Sequence, residues 1–107
     1  MATTPTTQLL TLADLVSYQD GAVVSRQILK TGAGNVTLFA FDAGQELSEH
    51  TAPYDALVEL LDGAAEIRIS GQPYDLQAGN AIIMPANQPH AVKASGRFKM
   101  LLTMLHA

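Results

Sequence analysis

The chain reads as an all-β domain, a sandwich or barrel of short strands. Three observations carry that reading. Turn signals built on Gly, Pro, Asn and Asp recur about every six to ten residues. Between them, β-branched and aromatic residues alternate with polar ones, the pattern of strands with one buried face. No stretch holds a period near 3.6 for long enough to make a convincing long helix.

Residues 1–7, Thr-rich with Pro5, are expected to be a flexible tail ahead of one domain over residues 8–107. Leu9, Leu10, Leu12, Leu15 and Val16 fit a helical turn or a short strand equally well. Asp20 and Gly21 turn the chain into a strand over Ala22–Leu29, and Thr31–Asn35 makes a tight connection. Strands follow over Val36–Phe41 and, after the Asp42–Gly44 turn, over Gln45–His50. Pro53 interrupts the pattern. Ala56–Leu61 and Ala64–Ser70 then read as a hairpin around Asp62 and Gly63, because Asp-Gly is a strong two-residue hairpin signal. Short strands at Pro73–Leu76, Ala81–Met84, His90–Lys93 and Phe98–Leu105 complete about nine.

Composition narrows the function. At 107 residues with 48% apolar and 15% charged residues, the chain can bury a core without cross-links. A net charge of −4 with no Lys/Arg cluster argues against nucleic acid as a partner. The absence of cysteine removes disulfides, thiolate metal sites and thiol nucleophiles. No apolar run approaches the roughly 18–20 residues of a membrane span, so no membrane partner is expected. The first residues carry neither a basic leader nor an apolar core, so a soluble, cytoplasmic protein is expected.

Two stretches organise the chemistry. In Gly44–Gly63, five residues separate Gly44 from His50; in Gly79–His90, Gly79, Pro85 and His90 recur in register. This spacing resembles the two motifs of the cupin superfamily, Gly-x5-His-x-His-x3 or 4-Glu-x6-Gly and Gly-x5-Pro-x-Gly-x2-His-x3-Asn. The motifs span Gly44–Ala94, and the fifteen residues between Gly63 and Gly79 resemble the small single-domain bacterial cupins. The resemblance implies a double-stranded β-helix, the jelly-roll or RmlC-like cupin barrel, with both histidines pointing into one barrel mouth. It also exposes departures. Ala52 stands at the family's second histidine, Ala56 at its glutamate, Asn87 at a glycine and Ala94 at the asparagine. Of the four metal-ligand positions, His50 and His90 remain.

These residues define the candidate site. His50 and His90 are candidate ligands for one divalent metal (Zn, Ni, Fe or Mn) or candidate acid–base groups; retained pocket histidines bonded to their neighbours are the alternative. Asp55 would complete a two-histidine, one-carboxylate set, but strand parity places it opposite residues 50, 52 and 56 unless a bulge near Thr51–Tyr54 resets it. Otherwise Asp55 caps the loop through backbone donors. Glu59 shares its parity and reads as an outward acid. Tyr54, Phe39, Phe41, Met84 and Met100 are candidate pocket residues, with core packing as the alternative for the phenylalanines and methionines. His106, near the C-terminus, reads as a solvated tail residue. No residue signals an organic cofactor, and no nucleophilic triad or phosphate loop is present.

Three functions remain open: a small-molecule pocket with or without a metal, a metal-dependent enzyme (dioxygenase- or isomerase-like) on a small organic acid, sugar or phenolic, and a non-catalytic ligand-binding or sensing module. The ligand is unidentified. A homodimer is expected, since apolar strand faces on so short a barrel leave surface to cover and small cupins are similar in pairing through their sheets.

Overall fold

A computed structural model describes residues 6–106. The expected tail lies outside the described residues except for Thr6 and Thr7, which carry no secondary structure. The ambiguous leucine segment resolves into one 3-10 turn, Leu12–Asp14. Eight strands follow: β1 Val23–Thr31, β2 Gly34–Phe41, β3 Glu46–His50, β4 Tyr54–Ile69, β5 Gln72–Gln77, β6 Ala81–Met84, β7 His90–Lys93 and β8 Phe98–His106. Among the described residues no helix is long and apolar enough to cross a membrane.

The expected hairpin at Asp62–Gly63 does not form. Residues 54–69 are one strand that serves two sheets. Its first half lies between β8 and β6, in a sheet ordered β1-β2-β8-β4-β6; its second half lies between β7 and β5, in a sheet ordered β3-β7-β4-β5. The change of sheet falls at a bulge, where Leu60 opposes Met100 but Asp62 opposes Lys99. Gly63 supplies the bend with φ near +76°, and a Cβ there would collide with the carbonyl oxygen of Arg97. Asp-Gly thus signals a positive-φ corner that a hairpin and a bulge use alike. The partner strand, β8, decides between them.

Alternation along β4 sorts its side chains. Ala56, Val58 and Leu60 point inward and are buried, as are Ala65, Ile67 and Ile69 beyond the bend. They meet Phe41, Met84, Val92, Phe98 and Met100 in one core between the sheets, where the Phe41 and Phe98 rings stack at 4.4 Å. Burying such side chains contributes about 1.5–3 kcal/mol each before conformational entropy is charged against it.

β2 is covered on both faces. Phe39 and Phe41 face the core; Leu38 and Ala40 face outward, beneath Val16, Leu12 and Leu15 of the N-terminal segment. Polar contacts tie that segment down. The Tyr18 hydroxyl donates to Asp62, Lys99 Nζ donates to the Ala13 carbonyl, and Arg97 bridges Asp20 and Asp42. The Gly21 N–H and Arg97 together hold the Asp42 carboxyl down at about 2.

Gly63→Ala is expected to destabilise the fold by about 2–4 kcal/mol in urea unfolding. Gly79→Ala, with positive φ but nothing within 4 Å of a Cβ, should cost about 1–2 kcal/mol. Because Asp42 titrates lower folded than unfolded, its contribution is complete above about pH 4 and is lost as pH falls from 3.8 towards 2. Asp42→Asn should flatten the acid limb of the stability profile over that interval while lowering stability at neutral pH.

Candidate functional site

One end of the barrel gathers the candidate residues, and connectivity explains why. Two connections cross between the sheets there, residues 51–53 from β3 to β4 and residues 85–89 from β6 to β7. The Asn87 N–H donates to the Ala52 carbonyl and the Ser70 N–H to the Pro89 carbonyl, so crossings and strand ends are bonded together. Asn87 holds φ near +65°, the backbone the family provides with glycine and that Asn tolerates.

His50 ends β3 and His90 begins β7, and they oppose each other across the ladder. A bulge on β3 makes this possible. Leu47 opposes Val92 and His50 opposes His90, so three residues on one strand span two on the other. An odd separation in sequence therefore puts Leu47 and His50 on the same, inward face. The bulge lies at Ser48–Glu49, ahead of the Thr51–Tyr54 stretch where the sequence suggests one. Ile69 extends the row beyond His90.

The two imidazoles are oriented by the backbone. His50 Nδ1 lies 2.8 Å from the Ser48 carbonyl and His90 Nδ1 lies 3.3 Å from the Gln88 carbonyl. A carbonyl only accepts, so these contacts favour hydrogen on both Nδ1 atoms, which turns both Nε2 atoms into acceptors. Those Nε2 atoms converge at 3.1 Å. Two lone pairs at that distance repel unless a proton or a cation lies between them. Burial holds His90 below the usual histidine range, neighbouring His50 pushes the same way, and the Gln88 carbonyl opposes both.

The opposite wall comes from the other sheet. Tyr54 opens β4 on the same inward parity as Ala56, Val58 and Leu60, and pairs with His106 of β8. Their rings lie 4.6 Å apart at 56°. Ala56 is 7% exposed and lies between Met84 and Met104 in the next row inward. Where the family carries a glutamate, this chain offers a short apolar side chain over an apolar floor.

The remaining candidates separate. Asp55 points away from the core, and its carboxylate accepts the Ala86 N–H at 2.9 Å. It ties the β6–β7 connection to the start of β4. Among the described residues no three His, Cys, Asp or Glu side chains gather to hold an ion. Tyr54 and Met84 lie at the histidine end of the barrel. Phe39, Phe41 and Met100 lie deeper, in rows towards the Gly63 bend. His106, set aside in the sequence as a tail residue, is the last residue of β8, and its N–H donates to the Ala33 carbonyl. The signal was the alternation Phe98, Met100, Leu102, Met104, His106, which keeps one face throughout.

The metal implied by the fold family can be tested against this donor set. Two imidazole nitrogens about 2.0–2.1 Å from one ion lie roughly 2.9 Å apart in adjacent octahedral positions and roughly 3.3 Å apart in tetrahedral ones. The observed 3.1 Å falls between. The pair fits as two adjacent ligands, with every further donor coming from outside these side chains.

Comparison with known proteins agrees with the architecture. The Cupin domain family model matches residues 37–105. A conserved protein of unknown function from Streptococcus pyogenes is 35% identical over 97% of this chain and 91% of its own, with a TM-score of 0.89. A cupin superfamily protein from Desulfitobacterium hafniense is 32% identical over 96% of this chain and 94% of its own, also at 0.89. A cupin 2 conserved barrel domain protein from Leptotrichia buccalis is 38% identical over 90% of this chain, which spans 47% of that protein's chain, at 0.87. No curated protein matches. With its bent shared strand, its paired histidines and these relatives, the chain belongs to the cupin superfamily.

Proposed function

We propose that this cupin binds a small molecule at the His50/His90 end of its barrel, and that the two histidines hold a divalent metal there. The observation that carries the reading is the Nε2···Nε2 separation of 3.1 Å with both Nδ1 atoms turned to backbone carbonyls. The carbonyls select the tautomer and fix the rings, so no reorganisation precedes binding. A metal bound there would supply Lewis acidity. The chain's own contribution is to orient two neutral imidazoles, keep the floor apolar through Ala56, Met84 and Met104, and leave the remaining coordination positions to an incoming molecule.

Two protein ligands hold an ion weakly compared with the three or four of most zinc and iron sites. This favours a binding or sensing module whose affinity depends on its ligand. A metal-dependent enzyme acting on a small organic acid, sugar or phenolic uses the same open positions and is the alternative. Turnover of such a substrate, lost in His50→Ala, would favour it over the binding reading.

The outer faces support a homodimer. The second sheet turns Glu46, Lys93, Glu66 and Asp75 outward in one register row. The first sheet turns out an apolar row, Ile83, Leu57, Thr103, Val36 and Leu29, flanked by Leu105; Ile83 is 67% exposed and Leu105 55%. In a two-fold pair through the first sheet the apolar faces would bury, while the charged outer face of the second sheet, with its Arg68–Glu66 ion pair, would stay in water.

Zn2+ or Ni2+ titrated into tag-free protein by calorimetry is expected to bind one ion per chain. His50→Ala and His90→Ala should each weaken binding at least about tenfold. No binding above that of the double variant would sink the metal reading. Ala56→Glu, which returns a carboxylate to the inward face, should strengthen binding by about tenfold or more. Sedimentation velocity should find a dimer for the wild type and a monomer for Leu57→Asp, with unchanged circular dichroism. A monomeric wild type at tens of micromolar would overturn the pairing.

A further inference from the structure

The outer face of the first sheet is covered over one half only. Towards the Gly63 bend, Leu38, Ala40 and Leu101 lie beneath Leu12 and Val16 of the N-terminal segment. One row further from the bend, Leu57, Thr103 and Val36 stand beside each other on the same face, and Ile83 extends the row at the β6 edge. This row continues the surface that the N-terminal segment already covers, because Glu59, Leu101 and Leu38 form the row next to it. Ile83 nevertheless stays 67% exposed and Leu57 37%.

The residues that precede the cover do not lie on that row. The 3-10 turn Leu12–Asp14 packs against β4, so residues 6–11 leave the body beside the strand that carries Leu57. Leu9 of this arm is fully exposed. Among the described residues, no backbone group of residues 6–10 is hydrogen-bonded, and the one side-chain bond runs from Gln8 to Thr6 within the arm.

Arm and row are matched in chemistry. Residues 6–11, Thr-Thr-Gln-Leu-Leu-Thr, carry no charge, and neither do Ile83, Leu57, Thr103 and Val36. Joining them buries leucine and isoleucine without stranding an ion. Within one chain both partners of that contact remain in water. In a two-fold pair through the first sheet, an arm that leaves one face enters the space between the two.

We propose that residues 6–11 are an exchanged arm, with Leu9 of one protomer packed on Ile83 and Leu57 of its partner, and the reverse contact made in return. The inference rests on the pairing through the first sheet and names the segment that completes it. Each outer face is then covered twice, by its own residues 12–18 near the bend and by the partner's arm beyond them. The apolar surface left open by one chain is closed by the same stretch of the other.

The chain contains no tryptophan, so Leu9→Trp places one indole reporter on the arm. Its emission maximum is expected at shorter wavelength than in the urea-unfolded chain wherever sedimentation finds a dimer. Dilution to monomer should move the maximum to the unfolded value. Leu9→Asp should weaken self-association at least about tenfold, since each arm substitution counts twice in a two-fold dimer, with unchanged circular dichroism. If the wild type is a dimer but Leu9→Asp associates as tightly, or the indole is solvated in that dimer, the exchanged arm is overturned and the pairing stands. An emission maximum that stays at short wavelength in the diluted monomer puts the arm on its own chain and overturns the exchange as well. A wild type that is monomeric at tens of micromolar removes the pairing, and the exchange with it.

Discussion

One strand shared by two sheets governs this molecule. β4 runs through the middle of one sheet, bends at Gly63, and continues through the middle of the other. Because the bend lies near its centre, both its ends return to the same end of the barrel. Every partner that pairs near those ends is carried there too. That is how His90, which opposes Ile69, and His106, which opposes Tyr54, reach a common space from distant parts of the chain. The corner depends on a residue without a side chain packed against the backbone of Arg97. The core, the two sheets and the candidate site therefore share one steric condition.

A second constraint is the division of polarity. The interior is apolar except at one end, where a few imidazoles and a phenol face inward. The carboxylates lie outside, in register rows, capping contacts or the N-terminal clasp. This division makes an otherwise unremarked pair of alanines informative. Ala52 and Ala56 stand at two of the family's ligand positions, and Ala56 is packed in the core between Met84 and Met104. Among the described residues no carboxylate stands beside the histidine pair to complete a three-ligand set.

Much of this was legible in the residues, and the failures have physical causes. The cupin resemblance carried by the glycine and histidine spacing implied that His50 and His90 share one barrel end, and they oppose each other there. Alternation placed Ala56 inward and Asp55 outward. Asp62–Gly63 read as a hairpin because a positive-φ glycine suits a tight turn and a bulge equally, and the choice rests on pairing with Phe98 some thirty-five residues away. The β3 bulge was invisible for the same reason, since it exists only relative to β7. His106 is exposed, as a solvated residue should be, but it ends β8 in alternation with Phe98, Met100 and Met104 and is not part of a loose tail.

The central position of β8 has a consequence for how the protein is made. β8 lies between β2 and β4, and its Leu101 joins Leu38 and Ala40 of β2 beneath the N-terminal segment. During synthesis the first sheet cannot close until this late strand has emerged, and until then β2 and the first half of β4 lack the neighbour that separates them. The clasp is of still longer range, since Ala13 meets Lys99 across 86 positions and Tyr18 meets Arg97. Long-range closure of this kind belongs to slow-folding topologies. Until β8 is made, β2 and the first half of β4 have unpaired edges that only this distant strand can cover.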